Sequence, residues 1–439
     1  MKTMKNINKI FIAITMLFIV VSCDKEFIDP INISDPEVEG SVENLIKLIN
    51  GIQQRFSTDR AGAKYTTVTA SGLTADELRL INPGNLGEAE LTNGGTEISI
   101  NNGVIRSLWG EIMLVRNESL TVLESADAAA ADEAEANSLK AYALFYEALA
   151  NGTLIRFFEQ VPLLTEANAQ FNTRAEVLAD AIGDLNTALG YVQSGISSSV
   201  SSGVFQSVDL ENSIQALLAR YHLMAGNYAE AVTAANAVDL SVQSTWSYDA
   251  AVPNPIAETY GTNNVVEAKD DQFGLPDDLL PDPADERIDF YVTIANDPST
   301  NEDAFFAVGF FDDNLDEIPV YLPGEMLLIE AEALARQGQI PQAIAALDEV
   351  LTKTAAEDAF GIGANLPAYA GAATEEAVLE EIYRNRRIEL FMTGMSLEDS
   401  RRFNRPGPGE TDAERNRNFY PYPDTERDNN TNTPADPAN

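Results

Sequence analysis

Aromatic, amide and charged side chains gather in two stretches of this sequence that lack the periodicity of a regular helix. The stretches are residues 57–102 and residues 240–318. Loops of such composition on a rigid scaffold are where binding residues concentrate, and nonperiodic stretches as long as the second are commonly functional. For each aromatic residue alone, a place in the core is an equal alternative. The residues expected to contact a ligand are Trp246, Tyr248, Tyr260, Asn263, Arg60, Tyr65 and Asp76.

An acidic run at the end of the second stretch resembles part of a calcium loop. Asp312, Asn314 and Asp316 match the first three ligand positions of an EF-hand loop. Glu317 stands where that loop requires Gly, and Pro323 stands where it requires a bidentate Glu. We therefore expect a solvated acidic loop, no metal site and no cofactor, with a structural calcium ion as the alternative.

Side chains suited to covalent or metal catalysis are scarce. The chain has one His, His222, and one Cys, Cys23, which excludes a Cys/His zinc site and an internal disulfide. His222 lies in a predicted helix without a Ser-centred nucleophile motif, so we interpret it as a core or groove-lining residue. A glycosidase needs two carboxylates roughly 5 to 10 Å apart. With 69 Asp and Glu residues, no spacing singles out one pair.

The charge balance excludes one class of partner. The formal net charge of the 439 residues is −41, whereas nucleic-acid binding needs a basic patch that displaces counterions. We interpret the acidic excess as a solubilising surface suited to a salty exterior, with a dedicated cation-binding role as the alternative. The 45% of hydrophobic residues suffices for a sizeable core.

Helical hairpins are predicted to position the nonperiodic stretches. Residues 325–351 form two amphipathic helices by their apolar spacing, with Gly338 ending the first and Pro341 opening the second. Residues 216–238 repeat the pattern around Gly226. Self-similar hairpins of this type resemble tetratricopeptide repeats. The predicted fold is mainly α, a tetratricopeptide-like helical-hairpin scaffold with a large loop-rich insertion subdomain.

One domain, residues 42–439, is predicted to contain both parts. The hairpin scaffold is expected at about 105–238 and 319–403, and loop-rich, ligand-facing parts at about 57–102 and 240–318. Within the scaffold, Trp109 falls on an apolar face and is interpreted as core. Helical periodicity predicts further helices at residues 42–56, 105–123, 133–158, 176–192 and 374–392.

The amino terminus has the features of a lipoprotein signal. Residues 1–22 contain three lysines and then an apolar run from Ile10 to Val21, which is too short for a permanent membrane span and is typical of a signal peptide. The run leads into Val-Val-Ser before Cys23, which resembles a bacterial lipobox. Cleavage there would leave the thiol of Cys23 as the lipid attachment site, followed by a tether over residues 23–41.

Motifs in the carboxy-terminal region resemble a known family. Residues 382–403, IYRNRRIELFMTGMSLEDSRRF, combine an Arg-rich helix, a Gly, and an Asp followed by an Arg pair. The matching residues are Arg386, Arg387, Glu389, Gly394, Asp399, Arg401 and Arg402. Further matches are 158–164, 318–320, 331–333, 419–424, and Trp109 with Asn117. Together these segments are similar to the SusD/RagB-like lipoproteins of the bacterial outer membrane.

The sequence departs from the family's pattern at two places. Leu322-Pro323 replaces an Arg that the family often carries before Glu325, and residues 395–397 replace a His-Arg-Trp-like run. Both are scaffold positions, so they bear on the subfamily more than on the fold.

We expect bidentate ion pairs to join the last long helix to the tail. The residues expected to form them are Arg386, Arg387, Arg401 and Arg402 with Glu389, Glu398 and Asp399.

The resemblance implies a function. Such a protein is a surface-exposed lipoprotein, anchored in the outer membrane through Cys23, that binds an oligosaccharide or polysaccharide and delivers it to a SusC-like TonB-dependent transporter without catalysis. The aromatic and polar residues above would then contact sugar rings and hydroxyls. A peptide or other non-sugar nutrient is the first alternative, and a glycoside hydrolase is the second. A purely protein-binding repeat scaffold leaves the aromatic insertion unexplained.

Overall fold

The computed structural model describes residues 40–297 and 302–438. The predicted signal peptide, Cys23 and the tether up to residue 39 lie outside the described residues. Sixteen α-helices occur within the described residues: α1 Val42–Ser57, α2 Ala63–Thr74, α3 Leu86–Asn93, α4 Gly103–Ala129, α5 Glu133–Phe157, α6 Arg174–Ser194, α7 Ser198–Ser201, α8 Leu210–Ala225, α9 Tyr228–Ala235, α10 Pro255–Ala257, α11 Arg287–Tyr291, α12 Pro323–Arg336, α13 Ile340–Thr352, α14 Glu375–Glu389, α15 Ser396–Arg402 and α16 Asp424–Asn429.

Short antiparallel strand pairs complete the fold. The strands are β1 Leu78–Leu80, β2 Gln160–Pro162, β3 Phe171–Thr173, β4 Thr245–Trp246, β5 Val266–Ala268, β6 Val292–Asp297, β7 Glu302–Ala307 and β8 Ile318–Pro319. They pair as β1–β5, β2–β3, β4–β8 and β6–β7. The first pair joins the two nonperiodic stretches of the sequence, because β1 belongs to one and β5 to the other.

The predicted mainly α fold and both predicted hairpins are confirmed. Gly226 at φ +79° ends α8, and Gly338 at φ +74° follows α12, a left-handed backbone conformation that favours glycine. Pro341 occupies the first turn of α13. From α4 the helices form a row in which each packs on the next, in the order α4, α5, α6, α8, α9, α12 and α13.

The apolar helix faces that the periodicity predicted are buried in the structure. Leu328, Leu347 and Val350 form a core between α12 and α13, and Ile382 of α14 joins it. Trp109 is buried in α4 and donates its indole N–H to Glu426 at 3.2 Å, so its assignment to the core is confirmed. Among the described residues, no helix combines the length and the apolar character that a membrane crossing requires.

The prediction that residues 57–102 are loops is wrong. This stretch contains α2 and α3, and every residue of α2 is buried. A helix that is buried on all sides has no polar face and therefore no periodicity of 3.6 residues. Its many hydroxyl groups form hydrogen bonds within α2 or with neighbouring elements of the protein. Thr66 donates to the carbonyl of Gly62 at 3.0 Å, and the Ser71 hydroxyl lies 2.8 Å from that of Ser396 in α15.

A buried ion-pair cluster joins α12, α14 and α15. Arg402 donates to both carboxylate oxygens of Glu332, each at 2.8 Å. Arg386 donates to both oxygens of Asp399, at 2.8 and 3.1 Å. Burial alone would raise the pKa of Glu332, but Arg402 and Arg386 hold it below its usual value. The predicted structural role of this arginine cluster is confirmed.

Two members of the predicted cluster have other partners. Glu389 accepts from Arg287 at 2.9 Å, a residue of the insertion that the sequence prediction did not include. Arg387 donates to the carbonyls of Ala75 and Phe273, each at 2.8 Å. These carbonyls lie three residues before β1 and five residues after β5, so Arg387 ties both strands to the helical scaffold.

Removal of the Glu332 charge tests the cluster. Glu332→Gln removes the carboxylate that accepts both hydrogen bonds from Arg402, and it leaves Arg402 and Arg386 to share the buried carboxylate of Asp399. Breaking a buried pair in this way costs about 3–5 kcal/mol. Because the folded pKa of Glu332 is lowered, its stabilisation is complete above the unfolded pKa of about 4.3 and disappears as the pH falls through the folded value. Urea unfolding should give a much lower free energy of unfolding for Glu332→Gln than for the wild type at neutral pH. This difference should narrow below about pH 4.

Lys47→Ala is the matched control, because Lys47 and its partner Glu43 in α1 are both exposed. Exposed pairs contribute little to stability, so this variant should unfold at the wild-type urea midpoint. A Glu332→Gln protein that also unfolds at the wild-type midpoint would contradict the importance of the cluster.

Candidate functional site

A groove of about 810 Å³ runs between the β1–β5 pair and the β6–β7 hairpin. Both nonperiodic stretches of the sequence contribute to it, since β1 comes from the first and the other three strands come from the second. Contacts between β5 and β7 bring the two strand pairs together. The residues that line it include Arg79, Ile81, Tyr260, Asn264, Asp303, Phe306 and Asp312.

Arg79 connects the two walls of the groove. It lies opposite Glu267 in the β1–β5 register, and its Nε is 2.5 Å from a Glu267 carboxylate oxygen. Its Nη2 donates to the carbonyl of Asp303 in β7 at 3.1 Å, and the guanidinium lies 5.6 Å from the ring centroid of Phe305. One side chain therefore fixes the hairpin against the strand pair.

An apolar surface is open to solvent in this groove. The side chain of Phe306 in β7 is 45% exposed, and that of Ile81 just after β1 is 41% exposed. Asn264 and Asp303 line the same groove and are exposed. An accessible aromatic ring beside amide and carboxylate groups can hold a ring-shaped ligand on its apolar face and hydrogen bond to its polar edge.

Tyr260 forms part of the groove but presents little surface. It lies in a π-helical turn, Glu258–Thr262, a feature often found at functional sites. The side chain is only 6% exposed, and its hydroxyl lies 2.9 Å from that of Thr69 in α2. Burial raises the pKa of this phenol well above its usual value. Tyr260 therefore joins the groove to the buried helix α2.

Three of the predicted ligand residues meet in one network beside the groove. Tyr65 packs edge-on against Tyr260 with ring centroids 6.1 Å apart. The Tyr65 hydroxyl donates to Glu88 at 2.9 Å, and Arg60 donates to the same carboxylate at 2.6 Å. Tyr65 is buried, whereas Arg60 is exposed and also contacts Asn85. The hydrogen bonds of Tyr65 and Arg60 thus support the groove from α2 and α3.

The remaining predicted polar residues lie at the surface in different places. Asn263 is exposed at the end of the π-helical turn, next to Asn264 of the groove. Asp76 is exposed, forms an ion pair with Lys269 and lines a second groove of about 900 Å³. Arg79 lines both grooves, so the two are neighbours along β1.

The prediction of an open aromatic face at Trp246 is wrong. Its side chain is 1% exposed and packs on Phe56 of α1 with ring centroids 5.3 Å apart. The short β4–β8 pairing directs the indole into the core. Tyr248 is half-buried and donates to the carbonyl of Ser57 at 3.1 Å. Neither ring lines the groove described above.

Phe306 and Arg79 are groove residues that the sequence analysis missed. Phe305 and Phe306 are adjacent residues of β7, and alternation along a strand places their side chains on opposite faces. That signal shows that one of the two rings faces outward. It does not show which ring, because the choice depends on the packing of β7 against β5.

In the acidic loop at residues 312–317, some carboxylates accept hydrogen bonds from the backbone of the loop itself. An oxygen of Asp313 accepts the backbone N–H of Leu315, and one of Asp316 accepts that of Asp313, each at 2.8 Å. Within the described ranges, no group of three or more His, Cys, Asp and Glu side chains is arranged to hold a metal ion. Partial burial, followed by the neighbouring Asp316, raises the pKa of Asp312 in the groove.

Known proteins with similar structures share this fold. A SusD-like carbohydrate-binding protein from Bacteroides vulgatus is 19% identical with a TM-score of 0.72, and the match covers 90% of this chain and 97% of that chain. A SusD superfamily protein from Bacteroides thetaiotaomicron is 18% identical with a TM-score of 0.68, covering 90% and 100%. A laminarin-binding SusD-like protein is 16% identical with a TM-score of 0.60, covering 91% and 99%.

Sequence comparison gives a narrower match. No curated protein matches the chain, whereas residues 313–438 match the model of the SusD family. That segment contains the α12–α13 hairpin and the buried arginine cluster, while the structural match extends over about nine-tenths of the chain. Residues 313–438 therefore match the SusD family, and the chain as a whole has the fold of SusD-like proteins.

Proposed function

We propose that the protein is a glycan-binding protein of the cell surface, whose ligand binds in the groove between the β1–β5 pair and the β6–β7 hairpin. The observation that carries this proposal is the 45% exposed ring of Phe306 in a groove that also contains Asn264 and Asp303. The similar structures described as carbohydrate-binding and laminarin-binding support a glycan as the class of ligand.

The size and chemistry of the groove suit a few sugar units. Its volume of about 810 Å³ falls within the range of small-molecule sites. The C–H face of a pyranose ring would pack on Phe306, while its hydroxyls would reach Asn264 and Asp303. Open sites of this kind give micromolar to millimolar dissociation constants, equivalent to about 4–8 kcal/mol.

The charges around the groove favour a neutral glycan. Asp303 and Asp312 line it, and the cation of Arg79 is already paired with Glu267. The whole chain carries a formal net charge of −41, so a polyanionic glycan would meet repulsion at long range. We therefore propose that uronic-acid and sulfated polysaccharides bind more weakly than neutral ones.

Binding without turnover is part of the proposal. The raised pKa of Asp312 is the observation that favours hydrolysis as a second candidate, since a glycosidase uses one carboxylic acid of raised pKa. A hydrolase also needs a second carboxylate across the scissile bond. Assaying new reducing ends in every binding experiment distinguishes the two functions directly.

Anchoring and delivery complete the proposed role. Cys23 would carry the lipid that holds the protein on the outer face of the outer membrane, because several acyl chains give an almost permanent anchor. The bound glycan would then pass to a SusC-like TonB-dependent transporter. The match of residues 313–438 to the SusD family supports this placement.

Titration calorimetry of residues 24–439 against a panel of soluble glycans tests the proposed ligand. The panel pairs neutral glucans, laminarin among them, with pectin and a sulfated polysaccharide. Saturable heat with a neutral glycan and no new reducing ends is expected. New reducing ends would overturn the non-catalytic function, and silence across the whole panel would favour a peptide cargo.

Phe306→Ala is expected to weaken glycan binding about twofold to tenfold, because an aromatic contact contributes about 0.5–1.5 kcal/mol. Its urea midpoint should stay at the wild-type value, since the ring is exposed. Phe205→Ala is the matched control, because Phe205 is 39% exposed and does not line the groove. Equal affinity of the Phe306→Ala and Phe205→Ala variants would place the ligand elsewhere.

Trp246→Ala should behave in the opposite way in the same experiments. Truncation of a buried Trp costs about 3–5 kcal/mol, and Trp246 is 1% exposed. The variant should unfold at a lower urea concentration. A variant of wild-type stability with abolished glycan binding would restore Trp246 as a direct ligand contact.

Cys23→Ser tests the anchor. Without the thiol no thioether to lipid can form, so we expect the full-length variant in the soluble fraction or unprocessed, whereas the wild type should sediment with membranes. Ser22→Ala, which keeps the thiol, is the control. A Cys23→Ser protein that is still processed and anchored in the membrane would contradict lipidation at this residue.

A further inference from the structure

A small cavity beside Trp246 has basic side chains in its wall. It measures about 40 Å³, and its wall includes Lys64 of α2, Arg156 of α5, Arg220 of α8 and Glu325 of α12. A cavity of about 10–15 Å³ already accommodates one water molecule. The space is therefore large enough for a small ion and too small for a sugar ring, which separates it from the glycan groove.

Glu325 is the one carboxylate among these four groups, and both of its oxygens pair with Arg220. Glu325 accepts from Nε and Nη2 of Arg220, both at 2.7 Å. This bidentate geometry is the strongest form of an ion pair between side chains. The pair is neutral as a unit, so it leaves the charges of Lys64 and Arg156 without compensation inside the cavity.

Arg156 has polar partners but no carboxylate at ion-pair distance in the described part of the chain. Its Nη1 donates to the carbonyl of Gly394 at 3.2 Å, and its Nη2 lies 3.4 Å from the hydroxyl of Thr153. The nearby carboxylate of Glu398 is held by Arg174 at 2.5 Å and by Arg401 at 2.7 Å. The guanidinium of Arg156 thus remains a buried positive charge.

Lys64 is more isolated than Arg156. Its side chain lines the cavity, the residue is 8% exposed, and its ammonium group donates no hydrogen bond to any residue that the structure describes. A buried cation without a partner is costly. The cost is relieved either by loss of the proton or by an anion that occupies the cavity.

We propose that this cavity binds a monovalent anion of about the size of chloride, held between the ammonium group of Lys64 and the guanidinium of Arg156. The anion would supply the counter-charge that both side chains lack. It would also link α2 to α5. Since α2 leads directly into β1, the anion would stabilise the segment that carries one wall of the glycan groove.

Binding of this anion should depend on pH. Burial, followed by repulsion from Arg156 and Arg220, lowers the pKa of Lys64 to about 7. Below that pH the cavity holds two uncompensated cations, and above it Lys64 releases its proton and the attraction weakens. Arg156, with a pKa lowered to about 10, and Tyr221, with a pKa raised to about 12, keep their protons across this range.

The other groups that face the cavity do not supply a competing anion. Arg220 and Glu325 form the neutral pair described above, and burial raises the pKa of Tyr321, so its phenol stays neutral. Affinity for the anion is therefore expected to decrease as the pH rises through about 7, following the protonation of Lys64.

Urea unfolding of residues 24–439 in sodium chloride and in sodium gluconate of equal ionic strength tests the proposal. Gluconate is too large for the cavity, and equal ionic strength matches the screening of the acidic surface. At pH 6 chloride should raise the urea midpoint above that in gluconate, with a shift that grows with concentration as expected for ligand binding to the folded state. At pH 8.5 the difference should shrink.

Lys64→Met should remove the difference between the two salts, while Lys47→Met, which changes an exposed lysine of α1, should retain it. A difference that persists in Lys64→Met, or equal midpoints in chloride and gluconate for the wild type, would overturn the proposal. Crystals of the wild-type protein grown in bromide provide a test that needs no variant. An anomalous peak between Lys64 and Arg156 is expected, and bromide peaks confined to the surface would also overturn it.

Discussion

The buried ion pairs of Glu332 and Asp399 constrain the carboxy-terminal half of the molecule. Arg402 and Arg386 come from α15 and α14, and their carboxylate partners come from α12 and α15, so none of the three helices can shift without separating buried charges. Removing one partner from such an arrangement leaves a buried charge uncompensated and is strongly destabilising. Here that arrangement fixes the last segments of the chain against the α12–α13 hairpin.

Arg387 extends this constraint to the groove between the β1–β5 pair and the β6–β7 hairpin. It lies on the same helix as Arg386, but it donates to backbone carbonyls next to β1 and β5. These strands have three residues each, and a strand pair so short does not hold together by its ladder alone. The rigid helical region thereby positions the β1–β5 pair, and Arg79 then positions the β6–β7 hairpin against it.

The protein interior contains two kinds of buried charge, those paired with an opposite charge and those without such a partner. In the cluster around Glu332 and in the pair of Arg220 with Glu325, buried arginines form ion pairs with buried carboxylates. Lys64 and Arg156 lack that compensation, although Lys64 belongs to a helix in which every residue is buried. The first group behaves as fixed structure. The second makes the interior sensitive to the pH and the salt around it, because the cost of its charge is relieved either by loss of the Lys64 proton or by an anion from solution.

Local signals in the sequence determined the helical hairpins. Gly226, Gly338 and Pro341 act through the backbone of their own turns, and periodic apolar residues mark a helix face whatever it packs against. The composition of residues 240–318 also predicts a binding surface there, and residues of this stretch line the groove between the β1–β5 pair and the β6–β7 hairpin. Tertiary structure alone decided the identity of α2 as a helix and the opposite exposures of Trp246 and Phe306, because a side chain's burial depends on neighbours distant in the chain, which no local pattern encodes.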